Sequence, residues 1–200
     1  MLSLTQVFWP AAILTLVYWV ITLCVIYYWV AASWNDPTDK TVYMQYELEK
    51  EGKLENYVWD DDKYPYECDV CQTRVKATSK HCKICNRCVD DFDHHCPYIN
   101  NCVGGSNYHY FIKLVISTVL LTWMHMTTSI YLIIHFAWES SHVKASHDQV
   151  FGKTLFNEIS IVLYISLGLN FLIGLFVTAL MFYHLYLWKM GVSTYLYITA

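Results

Sequence analysis

Between Val7 and Ala32 the chain carries no charged side chain. A helix needs about 20 mostly apolar residues to cross a hydrocarbon core, and it satisfies its own backbone groups there, as a spanning segment must. Two more stretches of this kind follow: Tyr110–Trp138, with Lys113 near its entry, and Ile159–Trp188, closed by Lys189. Trp and Tyr gather near several of these ends, as in an aromatic belt, and the two lysines can snorkel to the interface. The first stretch is too long for a secretory h-region. It lacks a basic n-region and ends in Tyr and Trp instead of a small-residue cleavage site, so it reads as a retained anchor. Pro10 falls in its first turns, where a missing N–H costs little. The expected class is an all-α polytopic membrane protein with three transmembrane helices.

Composition sharpens this frame. Apolar residues make up 56% of the 200 residues and charged residues 15%. Most charges, and seven of the eight cysteines, lie between the first two apolar stretches. Residues 33–109 carry nine Lys and Arg, while the short segment before the third stretch carries Lys144 and Lys153. The positive-inside rule therefore puts the long loop and the C-terminus in the cytosol and the N-terminus outside. The implied layout is an N-terminal region with a transmembrane helix at 1–32, an acidic cytosolic linker at 33–63, and a cysteine-rich domain at 64–109. A helix at 110–138, a lumenal loop at 139–158, a helix at 159–188 and a cytosolic tail at 189–200 complete it. Within the linker, Glu47, Glu49, Glu51, Glu55 and Asp60-Asp61-Asp62 favour a solvated segment, although a short amphipathic helix near Val42–Leu54 is possible. The net charge of −4 gives no sign of a nucleic-acid partner. No repeat of solenoid length is visible.

The cysteine-rich block reads Cys68-x2-Cys71, then His81-Cys82-x2-Cys85-x2-Cys88, Asp93-His94-His95-Cys96 and Cys102. A Cys-x2-Cys pair sets two thiolates on one tight turn, suited to tetrahedral zinc with Zn–S of about 2.3 Å. Histidines at metal-like spacing, and a position between spans, argue against a disulfide scaffold. Seven cysteines and His81, His94 and His95 make ten candidate ligands, and two closed zinc sites use eight. If both sites are Cys3His, one Cys and one His are spare, the combination an activated thiolate needs. Cys82, Cys85 and Cys88 are unsuited to binding one ion as a run, so the sites should interleave. Spacing alone does not choose the spare pair.

The block resembles the cysteine-rich domain of the DHHC-type (zinc finger DHHC) palmitoyltransferase family. The matching residues are Cys68-Asp69-Val70-Cys71, Ser79 through Cys88, Asp93-His94-His95-Cys96-Pro97, Asn100-Asn101-Cys102-Val103-Gly104, Asn107-Tyr108 and Phe111, about 45 residues of close similarity. The resemblance implies a cytosolic zinc-bound domain of short β-hairpins. Cys68, Cys71, His81 and Cys88 would hold one structural Zn2+, and Cys82, Cys85, His95 and Cys102 the other. Cys96 would be the nucleophile, His94 its base and Asp93 the residue that orients His94. The implied activity is that of a protein-cysteine S-palmitoyltransferase. A long-chain acyl group, with palmitoyl-CoA as donor, passes through an acyl-enzyme on Cys96 to cytosolic cysteines of membrane-associated proteins. The implied setting is the lipid bilayer of an endomembrane (Golgi or ER) or of the plasma membrane.

The chain departs from the family pattern in places. One span precedes the block instead of two, so the chain is expected to be either shortened at its N-terminus or a three-span variant. Tyr98 stands where Trp is usual, and Val75-Lys76-Ala77-Thr78 lacks the usual Pro and Arg. Ser193-Thr194-Tyr195-Leu196 replaces Thr-Thr-x-Glu, and the C-terminal packing motif is absent. A catalytically silent zinc-binding membrane adaptor of the same fold is the alternative. A RING-type ubiquitin ligase fits worse, because RING domains end in a Cys-x2-Cys pair, whereas the last ligands here are His95 and Cys102. His125, Asn170 and His184 are expected to serve as hydrogen-bonding groups between helices, Cys24 as a small packing residue and His109 as an interfacial one.

Overall fold

The computed structural model describes residues 4–138 and 155–200. In chain order the elements are α1 (Leu4–Trp34), α2 (Lys40–Lys50), a 3-10 turn (Leu54–Asn56), β1 (Tyr66–Cys68), β2 (Thr73–Val75), β3 (Lys80–Cys82), β4 (Arg87–Val89), β5 (His94–Cys96) and β6 (Asn101–Val103). They continue with α3 (Tyr108–Trp138), α4 (Leu155–Met190) and α5 (Thr194–Thr199). Through residue 154, the loop expected at 139–158 lies outside the described residues. Three helical stretches, Ala11–Trp34, Tyr108–His135 and Ile161–Met190, are long and apolar enough to cross a bilayer. Large apolar side chains such as Trp19, Leu23, Leu120 and Leu172 face outward on them. Such a surface needs lipid around it, and the chain is a membrane protein.

The residues group into two compact units: Met1–Val25 with Val115–Phe182, and Ile26–Leu114 with Tyr183–Ala200. In the first, the helices meet through small and polar residues, as helices in lipid do. The Tyr18 hydroxyl lies 3.2 Å from His125 Nδ1, and His125 Nε2 lies 2.7 Å from Ser166 Oγ, so one imidazole joins three helices. Trp123 Nε1 donates to Thr178 Oγ1 at 3.0 Å. Asn170 instead donates to the Ser166 carbonyl at 2.9 Å, within its own helix.

In the second unit the chain makes three antiparallel hairpins, β1–β2, β3–β4 and β5–β6, with three-residue strands. Their shared core is small: Cys82, Val89 and Cys102, with Cys85 and Phe92 against it. The acidic segment before them is more ordered than a solvated linker. Asp39 caps α2, accepting from the Thr41 N–H at 3.0 Å, and its other oxygen accepts from Ser79 Oγ at 2.5 Å. The Asp39 N–H also donates to the Cys88 carbonyl at 2.9 Å. A capping side chain of this kind is worth about 1 kcal/mol, and here it ties α2 to the second hairpin.

The last carbonyls of α1 lack partners within the helix. Two asparagines supply them. Asn101 Nδ2 donates to the carbonyls of Ala32, Ser33 and Asn35 at 3.3, 3.0 and 2.9 Å. Asn107 Nδ2 donates to Ala32 and Cys102 carbonyls at 3.0 and 2.9 Å. The third hairpin is thereby fastened to the end of α1. Gly104 permits the next close approach: a Cβ there would lie 2.5 Å from the Asp90 carbonyl oxygen and 2.6 Å from Val89 Cγ1.

Candidate metal centres and a buried cysteine–histidine site

The hairpins repeat one another at a register of fourteen residues. Cys68, Cys82 and Cys96 share one position, Cys71, Cys85 and Ile99 the next, and Gln72, Asn86 and Asn100 the one after. That third position has a positive φ in each hairpin, 51°, 50° and 48°. It is the left-handed conformation that closes a tight turn, and Asn tolerates it. His81 faces Cys88 across β3 and β4, and His95 faces Cys102 across β5 and β6, again fourteen residues apart.

This repeat assembles the ligands. The turn of the first hairpin brings Cys68 and Cys71 to the cross-strand pair His81 and Cys88 of the second. The turn of the second brings Cys82 and Cys85 to the pair His95 and Cys102 of the third. The two sets interleave along the chain, as the run Cys82, Cys85, Cys88 requires. In the first, His81 Nδ1 lies 3.7, 3.3 and 3.9 Å from the sulfurs of Cys68, Cys71 and Cys88. In the second, His95 Nδ1 lies 3.8, 3.3 and 3.7 Å from those of Cys82, Cys85 and Cys102. A tetrahedral ion bound at Zn–S and Zn–N lengths has S···N edges of about 3.6 Å. Each set therefore has the dimensions of a closed four-ligand site.

Charge points the same way. Burial, followed by the neighbouring sulfurs, pushes the Cys88 and Cys102 thiols far above their ordinary range. Three thiolates can then share either set only around a cation. Burial also opposes ionisation of Cys68 and Cys82, but the backbone N–H groups of Cys71 and Cys85, which point at those sulfurs at 3.4 and 3.5 Å, bring both thiols down.

The third turn is incomplete. Ile99 stands where a second thiol would be, and none of the described elements offers Cys96 a His–Cys pair. Its thiol is buried and meets His94 instead. His94 Nδ1 pairs with Asp93 Oδ2 at 2.7 Å, which leaves Nε2 for the sulfur. The other Asp93 oxygen accepts from the Thr194 N–H, at the start of α5, at 2.8 Å. Burial opposes charge on all three groups, and their contacts overcome it. The Asp93 hydrogen bond and Cys96 push His94 up to about 9. The His94 bond, then the N–H groups of Ile99 and Tyr98, lower Cys96. The His94 bond and the Thr194 N–H lower Asp93. The favoured state is a thiolate beside an imidazolium, with a carboxylate behind it.

Thus all eight metal-ligand candidates come together in two sets, and Asp93, His94 and Cys96 form a third group. Thr194 reaches Asp93 through its backbone N–H. Leu196, in place of the family's carboxylate, is about half exposed. The sequence reading missed Tyr108 and His184 as neighbours of the His94 group. The Tyr108 hydroxyl lies 3.2 Å from His184 Nδ1, and ligating atoms of Asp93, His94 and His184 lie within 4.8 Å of one another. Residues so far apart in the chain leave no spacing signal. The fourteen-residue register was a signal, and it singles out Cys96.

The family model described as DHHC palmitoyltransferase matches residues 62–200. A search of the curated proteins finds no match. A match over more than half of the chain, covering the hairpins, α3, α4 and α5, establishes that the chain belongs to the DHHC palmitoyltransferase family.

Proposed function

We propose that the protein is an active S-acyltransferase that moves a long-chain acyl group from acyl-CoA to cysteines of membrane-associated proteins through an acyl-enzyme on Cys96. The observation that carries this reading is the spare thiol. Cys96 alone among the hairpin cysteines stands outside both four-ligand sets, and it alone meets an imidazole backed by a carboxylate.

In the first half-reaction the Cys96 thiolate attacks the thioester carbonyl carbon of acyl-CoA. The carbon–sulfur bond to CoA breaks, and the departing thiolate takes the proton from His94. In the second, an acceptor cysteine gives its proton to His94 and attacks the acyl-Cys96 carbonyl, and Cys96 leaves as a thiolate. His94 thus gives up its proton in the first half-reaction and regains one in the second, and Asp93 keeps its ring in one orientation and stabilises its charged form. Cys68, Cys71, His81 and Cys88 would hold one Zn2+ and Cys82, Cys85, His95 and Cys102 another. Closed four-ligand sites offer no open position for substrate, so the ions would be structural. The apolar helices suit a reaction whose cargo is itself apolar, and the nine Lys and Arg of residues 33–109 favour a cytosolic face for the hairpins.

The test is incubation of the purified, zinc-loaded protein with labelled palmitoyl-CoA. Hydroxylamine-sensitive label should appear on wild type and be lost in Cys96→Ser. A zinc-loaded wild type that takes no label would leave the silent adaptor as the better reading.

A further inference from the structure

His184 is 2% exposed and takes no part in the acyl-transfer steps above. A buried imidazole costs free energy unless its nitrogens are satisfied, and apolar packing alone would be served by Leu. Its surroundings are specific. Nδ1 pairs with the Tyr108 hydroxyl at 3.2 Å, and the ring centre lies 5.8 Å from that of His94 and 5.1 Å from that of Phe111. Phe111 meets His94 edge-on at 5.3 Å. His94 is therefore enclosed by Asp93, Phe111, His184 and Cys96. Both oxygens of Asp93 are already in use, by His94 and by the Thr194 N–H. A turn of the His94 ring would break the Asp93 bond and set a carbon against the sulfur.

We propose that His184, held in one tautomer by Tyr108, is a positioning residue that keeps the His94 ring in line between Asp93 and Cys96 through both half-reactions. This rests on the acyl-transfer reading. In the proposed arrangement the Tyr108 hydroxyl donates to Nδ1 and the His184 proton sits on Nε2.

The test uses the full chain in lipid nanodiscs with His184→Leu, His184→Asn and Tyr108→Phe. Cys96 acylation is followed against palmitoyl-CoA concentration. His184→Leu should lower kcat about 10- to 100-fold with KM changed by less than about twofold, the signature of a misplaced group and not of lost substrate binding. Asn places an acceptor near the Nδ1 position and should recover most of the rate. Tyr108→Phe should fall with His184→Leu, and the double variant should be no slower than either, because the two act as one unit. Iodoacetamide alkylation of Cys96, which needs no acyl donor, should slow in parallel. Zinc should stay at two per chain throughout. A wild-type kcat in His184→Leu or Tyr108→Phe would overturn the proposal, as would a loss confined to KM. A third zinc, present in wild type and absent in His184→Leu, would also overturn it and give Asp93, His94 and His184 to a metal. If His184→Leu does not fold, Tyr108→Phe, which removes one hydroxyl, decides. If wild type alkylates normally and the variants alkylate slowly, yet no acyl-enzyme forms, the acyl-transfer reading fails and the positioning role stands.

Discussion

Cys82 and Cys96 occupy the same turn position fourteen residues apart, yet one belongs to a four-ligand set and the other to His94. What differs is the company each keeps: Cys85, His95 and Cys102 for the first, Ile99 and His94 for the second. The Cys96 thiolate should therefore form below the ordinary thiol range, because the His94 contact and the turn N–H groups outweigh burial. Its alkylation rate against pH should show a depressed midpoint, and His94→Ala should move that midpoint up, since burial alone raises a thiol. Turnover should fall as pH rises through about 9, where His94 gives up the proton that the departing CoA thiolate needs. An unmoved midpoint in His94→Ala would mean that the imidazole does not set the thiol's state. Much of this was legible in the sequence. Ten candidate ligands against eight places predicted one spare Cys and one spare His. Naming them needed either the family resemblance or the hairpin register, in which Ile99 breaks the pattern of Cys71 and Cys85. His184 reads in sequence as a hydrogen-bonding residue between helices, and it is one, to Tyr108. Its nearness to His94 depends on contacts ninety residues apart in sequence, which no local pattern carries.

At the scale of elements, hairpins with three-residue strands do not stand alone. The first two turns each share a candidate ligand set with the next hairpin, so a bound ion in each would make the block a chain of two links with its free end at Cys96. Asn101 and Asn107 then fasten that end to α1. Gly104 lies where this packing is tightest. Gly104→Ala should cost about 1–3 kcal/mol, because its Cβ would meet a backbone oxygen that has little room to give. Thermal unfolding followed with zinc release would measure it. Gly168→Ala is the control: within α4 a Cβ there meets nothing within 4 Å, so it should not lower the transition and can raise it slightly, since Ala is the better helix former. Equal losses in the two variants would contradict the packing described for Gly104. The acidic segment before the hairpins shows where pattern reading stops. Its charges argue for a solvated linker, whereas α2 is fixed through Asp39 and Thr41, which look ordinary in sequence: the Asp39 carboxylate accepts from Ser79 Oγ, the Asp39 N–H donates to the Cys88 carbonyl, and the Thr41 carbonyl accepts from Thr73 Oγ1.

At the scale of the molecule, three apolar helices and one block of candidate metal ligands were both legible, because bilayer thickness and ligand spacing are strong constraints. The expected stoichiometry is two metal ions and one acyl group per chain, on nine different side chains. Native mass spectrometry of the intact protein after exposure to palmitoyl-CoA counts both at once. Wild type should carry two zinc ions and one palmitoyl group. Cys96→Ser should keep both ions and lose the acyl group, and Cys85→Ser should lose metal and unfold the block. An acyl group that persists in Cys96→Ser, or a zinc ion that leaves with Cys96, would contradict the assignment of that thiol as the spare one.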